Sequence, residues 1–216
     1  MKVINLGKDN SVLNNFMAQM RDRNIQKDRM RFRKNLERIG EIFAYEISRT
    51  LRYSVKKVVT PLGIADVPTL DTPVVAATIL RAGLPLHQGI LNFLENSQSA
   101  FVAAYRKYDR GDSFHINIEY SSSPGLEGKT LILADTMLAT GASLELAYNR
   151  LCEDGKPECT HIVCPLASAD AVEHLMKNMG DDITLWVAAI DEELTSRSYI
   201  VPGLGDAGDL AYGDKI

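Results

Sequence analysis

The stretch LILADTMLATGAS, from Leu131 to Ser143, decides the fold of this 216-residue chain. Its first four residues are apolar, which is typical of a strand buried on both faces of a parallel sheet. Asp135 closes this strand, and a turn of small residues follows it over 139–143. Apolar residues then recur at helical spacing over 144–151. The order of strand, carboxylate, tight turn and helix predicts a βα unit of an α/β fold.

The turn in this unit is a candidate anion site. Backbone N–H groups, the hydroxyls of Thr140 and Ser143 and the positive end of the helix dipole converge there, so phosphate is the expected occupant. The same pattern also fits an ordinary βα turn in which the Thr or the Ser caps the helix. The spacing alone leaves both interpretations open.

The composition excludes several classes of protein. Hydrophobic residues make up 45% and charged residues 24% of the chain, which is typical of a globular α/β domain. A formal net charge of −4 argues against nucleic acid as the main partner. The odd number of cysteines, with no metal-binding or redox spacing, fits a reducing compartment. No secretory signal or membrane-spanning apolar run is visible, so we expect a cytoplasmic protein with no membrane partner.

Further apolar runs predict the remaining strands of the sheet, at Val74–Leu80, Ala100–Arg106, His161–Ala167 and Ile183–Ile190. Helical periods alternate with these runs, which predicts a doubly wound, mostly parallel sheet flanked by helices. Two of the strands are followed or closed by arginines, Arg81 and Arg106. Open α/β sheets bind ligands at the carboxyl ends of their strands, so both arginines are candidate binding residues.

The segments around this sheet have less regular patterns. Residues 12–53 have helical periods, with a long amphipathic helix expected from Met30 to near Tyr53. Residues 54–73 contain two β-like pieces interrupted by prolines, which predicts a hairpin-like arm. Residues 107–130 form a long connection of the kind that often serves as a lid, and alternating apolar residues favour a hairpin in part of it.

The C-terminal segment YIVPGLGDAGDLAYG, residues 199–213, carries an unusual density of glycine. Its G-x-G-x-x-G pattern does not indicate a dinucleotide site, because the chain ends at Ile216 without the helix and acidic residue that this fingerprint needs. Glycines let the backbone approach a ligand closely, and Asp206 and Asp209 add carboxylates. A ligand-binding loop is therefore favoured over an irregular tail.

These motifs together resemble a known family. LILADTMLATGAS resembles the phosphoribosyl-diphosphate (PRPP) motif of type I phosphoribosyltransferases. ILRAG (79–83), AYR (104–106) and YIVPGLGDAGD (199–209) are similar to the uracil phosphoribosyltransferase family. The resemblance covers roughly residue 12 to the C-terminus, and its C-terminal segment is the most specific part. It implies a single domain over residues 1–216 with the type I phosphoribosyltransferase fold and a small hood or arm at about 54–73.

The resemblance also implies a reaction, in which uracil and PRPP give UMP and diphosphate in pyrimidine salvage. It implies that Mg²⁺ is held mainly by PRPP and water, with no direct protein ligand, and that the chain forms a homodimer or a higher homo-oligomer. The implied catalytic residues are Asp135, Arg106 and Asp206. The implied PRPP-binding residues are Arg81, Arg106, Asp135, Thr136, Met137, Leu138, Ala139, Thr140, Gly141, Ala142, Ser143 and Asp206. The implied uracil-binding residues are Ile200, Gly205, Asp206 and Ala207.

The chain departs from the family pattern at several positions. Thr136 stands where proline is usual, Ala142 where the second glycine is usual, and Leu210 where a basic residue is usual. The stretch 107–124 also differs from the common version. Two other functions remain as alternatives: a regulator that senses PRPP or a nucleotide without efficient turnover, and a purine phosphoribosyltransferase. The acidic composition and the C-terminal segment argue against them.

Overall fold

The computed structural model describes residues 1–108 and 114–214, and it describes 105–108 and 114–117 by their backbone alone. The strands are β1 (Lys2–Asn5), β2 (Tyr53–Thr60), β3 (Gly63–Leu70), β4 (Val74–Leu80), β5 (Gln98–Tyr108), β6 (Phe114–Ser122), β7 (Thr130–Ala134), β8 (Met137–Leu138), β9 (Cys159–Ser168), β10 (Ile183–Asp191), β11 (Glu193–Leu194) and β12 (Ile200–Val201). The helices are α1 (Val12–Arg21), α2 (Arg29–Ser48), α3 (Leu84–Phe93), α4 (Ala142–Leu151), α5 (Ala169–Asn178) and α6 (Ala207–Tyr212).

The central sheet has the strand order β1-β10-β9-β7-β4-β5-β6, and the short β8 pairs with the end of β9. Every pair in it is parallel except β5 and β6, which are antiparallel. The predicted fold class, a doubly wound and mostly parallel sheet, is confirmed. Because the parallel strands share one direction, the segments that follow β4 and β7 leave the sheet at the same edge.

Apolar side chains cover both faces of this sheet. On one face, Val74 and Ala76 of β4 join a core built with α1, α2 and α3. On the other face, Val75 and Ala77 join a core built with α4 and α5. Alternate residues of one strand thus serve opposite layers, as the period of two along a strand requires. Continuous apolar runs such as VVAATIL are the sequence signal of this two-sided burial.

The N-terminal half differs from the prediction at the end of the long helix and in one additional strand. The long amphipathic helix ends at Ser48 and not near Tyr53. Thr50 then hydrogen-bonds the Ile47 carbonyl through both its amide and its hydroxyl, and Tyr53 already begins β2. The strand β1 was not predicted at all. Among the described residues it pairs with β10, almost at the other end of the chain, so no local pattern predicts it.

The segment predicted as a hairpin-like arm is an antiparallel pair of strands, β2 and β3, in a two-stranded sheet of its own. Pro68 does not interrupt β3, because it pairs with Val55 within the ladder. The stretch expected as a lid contributes the edge strand β6, which runs antiparallel to β5. Residues 109–113 of that stretch lie outside the described residues. Among the helices described, none has the length and apolar character to cross a membrane.

Candidate active site

The predicted anion loop leaves the sheet between β7 and α4. After Ala134, the amide of Asp135 still bonds the Val163 carbonyl of β9, at 3.0 Å. Met137 and Leu138 then return to pair with the end of β9 as β8. The backbone over 139–141 turns away from the sheet and enters α4 at Ala142. The chain is therefore anchored on β9 twice just before the turn over 139–141, which fixes the position of the loop at the carboxyl edge.

Asp135 is the carboxylate of this loop, and it is only partly exposed. Burial raises the pKa of Asp135 to about 7, although hydrogen bonds from the amides of Thr136 and Met137 act in the opposite direction. The Thr136 amide nitrogen lies 2.7 Å from Asp135 Oδ1. Proline, the usual residue of the family at position 136, has no amide hydrogen and could not make this bond.

The N-terminus of α4 is open towards the loop. Its N-cap is Gly141, in the left-handed region with a φ of +79°, which a side-chain-bearing residue rarely adopts. Thr140 Oγ1 lies 3.5 Å from the Ala142 amide nitrogen, at the outer limit of a hydrogen bond. The helix is thus begun by a glycine and not by a Thr or Ser cap. This geometry favours the anion-site interpretation over that of an ordinary capped turn.

The second predicted binding segment follows β4. Thr78, one strand over from Ala134, donates its hydroxyl to the Ala134 carbonyl at 3.3 Å, which ties the ends of β4 and β7 together. Gly83 is the N-cap of α3 and lies in a space without room for a side chain, since a Cβ there would overlap Thr78 Oγ1. Between them Arg81 is exposed at the sheet edge, after a cis Leu80–Arg81 peptide bond.

The C-terminal segment differs from the predicted loop, because part of it is helical. Ile200 lies in the short strand β12, and α6 begins at Ala207. Asp206 is the N-cap of α6, and its Oδ1 accepts hydrogen bonds from the amides of Gly208 and Asp209, at 2.8 and 3.0 Å. Gly205 precedes it with a φ of +96°. Of the predicted uracil residues, Ile200 therefore lies in a strand, while Gly205 and Asp206 form the turn that leads into α6 at Ala207.

The structure brings the β4 end and the C-terminal segment into contact. Arg81 Nη2 lies 3.4 Å from Asp209 Oδ1 and 3.2 Å from the Gly213 carbonyl oxygen. Arg33 of α2 holds the same helix by donating to the Ala211 carbonyl at 2.7 Å. One predicted PRPP residue thus touches the helix that Asp206, a predicted PRPP and uracil residue, begins.

Arg106 falls among the residues described by backbone alone. Its position in β5 pairs with Ile116 of β6. β5 continues past Ala103, the residue paired with the last residue of β4. Arg106 is therefore on the same carboxyl side of the sheet as Arg81, while its side chain lies outside the described residues.

Sequence reasoning missed an ion pair that holds the C-terminal segment. Arg21 of α1 makes two bonds to Asp191 at the end of β10, at 2.7 and 2.8 Å, and also donates to the Gly203 carbonyl. Asp191 in turn accepts the Gly203 amide at 2.9 Å. Burial acts to raise the pKa of Asp191, but the Arg21 and Gly203 hydrogen bonds outweigh it and the pKa lies below its usual value. Asp191 closes a strand as Asp135 does, which is the signal that could have found it.

The structure accommodates two of the departures from the family pattern, Ala142 and Leu210. Ala142 is the first residue of α4, where a Cβ fits the backbone, and the positive φ falls on Gly141, which is a glycine. Leu210 is half-buried and packs against the core on the α1–α3 face. Neither change removes an element that the predicted site requires.

Comparison with known sequences points to one family. A sequence model described as uracil phosphoribosyltransferase matches residues 7–214. The chain is 53% identical over 216 residues to a uracil phosphoribosyltransferase of Porphyromonas gingivalis, with 100% of both proteins covered. It is 36% identical over 199 residues to a uracil phosphoribosyltransferase of Methanococcus vannielii, which covers 90% of this chain and 84% of that protein.

Solved structures agree on the fold. A protein from Aquifex aeolicus is similar with a TM-score of 0.87 and 28% identity, and 98% of each chain is covered. A hypoxanthine phosphoribosyltransferase from Staphylococcus aureus is similar with a TM-score of 0.51 and 12% identity, over 75% of this chain and 76% of that one. The second likeness concerns the fold alone, which is that of type I phosphoribosyltransferases.

Proposed function

The chain belongs to the uracil phosphoribosyltransferase family, and we propose that the carboxyl edge of its sheet converts uracil and PRPP to UMP and diphosphate, a step of pyrimidine salvage. The observation that carries this proposal is the contact of Arg81 with Asp209 and Gly213. It joins the end of β4, assigned to PRPP, to α6, the helix that begins at the predicted uracil residue Ala207. Substrates that react with each other need neighbouring sites, and this contact supplies that proximity.

We assign the 5-phosphate of PRPP to the loop over Thr140–Ser143 and its ribose to Asp135. The open N-terminus of α4 offers amide hydrogens and the positive end of its dipole to the phosphate. Asp135 offers carboxylate oxygens that accept ribose hydroxyls. Arg81 and Arg106 are assigned to the diphosphate, because guanidinium groups bind phosphate oxygens in a bidentate manner. We also assign residues 1–216 to one catalytic domain.

The reaction suits these residue types. When diphosphate leaves the anomeric carbon, positive charge develops on the ribose and negative charge grows on the leaving group. Arginines stabilise that negative charge, and carboxylates such as Asp135 and Asp206 tolerate the positive one. No covalent nucleophile is required. The protein therefore has to position two substrates and place charge around them.

We propose that Mg²⁺ enters with PRPP. Mg²⁺ prefers oxygen ligands and keeps several waters, so the diphosphate oxygens of PRPP together with water suit it. We assign no direct protein ligand to the ion, and Asp206 faces PRPP and its metal. When bound, the ion neutralises charge on the leaving diphosphate.

Uracil selection follows from the C-terminal turn. Uracil presents an acceptor, a donor and an acceptor along O2, N3–H and O4. Gly205 has no side chain in the way, and that order can be matched by backbone amides and carbonyls of Ile200, Gly205, Asp206 and Ala207. Cytosine reverses two of the three groups and would leave buried polar groups unpaired, at about 1–3 kcal/mol each.

We further propose that the chain works as a homodimer in the cytoplasm. The arm formed by β2 and β3 exposes a row of apolar side chains, which an isolated two-stranded sheet does not bury. A second copy of the chain is the partner that the family resemblance favours. The three cysteines, all among the described residues, are free, which fits a reducing compartment.

One experiment tests the assignment directly. The purified protein is incubated with PRPP and Mg²⁺ together with uracil, cytosine, hypoxanthine or adenine, and the products are separated by chromatography. We expect UMP from uracil and no mononucleotide from the other bases. A purine nucleotide would show a purine phosphoribosyltransferase. Binding of PRPP without any product would favour the regulator.

A further inference from the structure

We propose that Ser168 is a positioning residue for PRPP, because its hydroxyl holds the loop assigned to the 5-phosphate from behind. Ser168 ends β9 and is the N-cap of α5, and it is fully buried. It touches neither substrate in the assignment above. The inference rests on the proposed function, since it concerns the loop that binds PRPP.

The hydrogen bonds of Ser168 have only one possible direction. Its Oγ lies 2.6 Å from the Ala139 carbonyl oxygen and 2.9 Å from the Ala171 amide nitrogen. A carbonyl can only accept and an amide can only donate. The hydroxyl therefore donates its single hydrogen to Ala139 and accepts from Ala171. One group caps α5 and fixes the first residue of the turn at the same time.

The contact lies where the backbone ladder ends. β8 pairs with β9 through Met137 with Leu166 and Leu138 with Ala167. The next pair in that register would be Ala139 with Ser168, but the chain enters α5 after Ser168. The hydrogen bond from the Ser168 hydroxyl thus holds the loop at the point where the backbone ladder between β8 and β9 ends.

The side chains of the loop contribute little packing that could fix its conformation. Ala139, Gly141 and Ala142 are too small to anchor a turn by packing, so its shape depends on bonds from neighbouring elements. α5 supplies a second support beside Ser168: a Cβ at Gly141 would lie 3.2 Å from His174 Cδ2 and from Leu175 Cγ. His174 Nε2 also lies 2.6 Å from Oε2 of Glu145, in the first turn of α4. The start of α5 therefore contacts the loop at Ala139, and its His174 and Leu175 lie behind Gly141.

The test compares Ser168→Ala with Ser168→Thr and with Ser11→Ala. Threonine keeps the hydroxyl and suits the extended backbone of an N-cap, which is the conformation of Ser168. Ser11 is the N-cap of α1 and accepts the Leu13 amide, so its replacement removes a helix cap without touching the loop. Steady-state kinetics give KM for each substrate and kcat, and thermal unfolding with and without PRPP and Mg²⁺ gives binding without turnover.

We expect Ser168→Ala to raise KM for PRPP about fivefold to tenfold. This factor is the free energy of one buried hydrogen bond converted to a change in affinity. KM for uracil should change less than about twofold by the same reasoning, and PRPP should stabilise this variant less than the wild type. Ser168→Thr should restore PRPP binding, and Ser11→Ala should leave it unchanged.

Equal losses for both substrates, or PRPP binding as in the wild type, would overturn the role of Ser168. The proposed function fails separately, through the absence of UMP from the wild-type protein. A wild type that binds PRPP without turnover still allows the Ser168 comparison by thermal unfolding, so the two outcomes are distinguishable.

Discussion

The guanidinium of Arg81 donates to the carboxylate of Asp209, with 3.4 Å between Nη2 and Oδ1, across 128 positions of sequence. Arg81 is assigned to the diphosphate of PRPP, so in the free protein its positive charge is already shared with a carboxylate of α6. Both side chains are substantially exposed, at 43% and 33%. An exposed pair of this kind contributes little to the free energy of folding. Its consequence is that Asp209 and PRPP compete for Arg81.

The first prediction concerns this competition. Asp209→Asn removes the carboxylate but keeps the shape of the side chain, so Arg81 keeps its contact with the Gly213 carbonyl and loses the negative charge that competes with PRPP. We expect Kd for PRPP to fall by up to about fivefold, equivalent to about 1 kcal/mol, with stability changed by less than about 0.5 kcal/mol. The matched control is Glu158→Gln, which breaks the exposed 3.5 Å pair with Arg52. Weaker PRPP binding in Asp209→Asn would show that Asp209 supports the site and does not compete for it.

The second prediction separates two roles of Asp206. This residue caps α6 through the amides of Gly208 and Asp209, and it is also assigned to PRPP. Asparagine can keep the cap but carries no charge, whereas alanine loses both. We expect both variants to lose at least about 100-fold in kcat, and Asp206→Ala alone to lose about 1 kcal/mol of stability. Normal turnover in Asp206→Asn would reduce Asp206 to a structural cap.

The third prediction concerns the ion pair behind the uracil turn. Arg21→Ala leaves the buried carboxylate of Asp191 without its partner and removes one bond to Gly203. We expect a loss of about 2–4 kcal/mol in unfolding free energy and a rise of about tenfold in KM for uracil. Arg49→Ala, which breaks only an exposed pair with Glu46, should cost less than about 0.5 kcal/mol. Urea unfolding measures the loss of stability, and steady-state kinetics measure KM for uracil. An unchanged KM would show that Arg21 contributes to stability and not to uracil binding.

Most of the fold was predictable because its signals are local. The strand before Asp135 and the helix after Gly141 are visible as an apolar run and a helical period in one stretch of sequence. Arg21 and Asp191 are 170 positions apart, and their meeting depends on how α1 lies against the end of β10. No residue pattern in either segment predicts that the two side chains meet.

The C-terminal helix was missed for a different reason. Glycine content lowers the helix propensity of GDAGDLAY, so the sequence predicts a loop. The structure stabilises α6 from outside, through the Asp206 cap and through Arg33 of α2, which donates to the Ala211 carbonyl. Tertiary contacts outweigh local propensity in such a short helix.

The fourth prediction follows from the raised pKa of Asp135, about 7 in the folded protein against an ordinary value of 3.8. Between these values the folded state binds more protons than the unfolded state, so stability falls as the pH rises from about 4 and through about 7. We expect Asp135→Asn to remove this part of the pH dependence and to lose most activity. Urea unfolding of both proteins from pH 4 to pH 8 checks it, and parallel stability curves would contradict the raised pKa.

The fifth prediction concerns the arm. On one face of the β2–β3 hairpin, Val59 pairs with Ile64, and these side chains are 82% and 69% exposed, while Leu62 at the tip is 100% exposed. An apolar hairpin without a core is marginal alone, so a second copy should cover it. We expect Val59→Lys to shift the protein from dimer to monomer in sedimentation experiments. Met176→Lys, at an apolar residue 54% exposed on α5, is the matched control and should leave the dimer intact. Dimers in both variants would place the interface elsewhere on the surface.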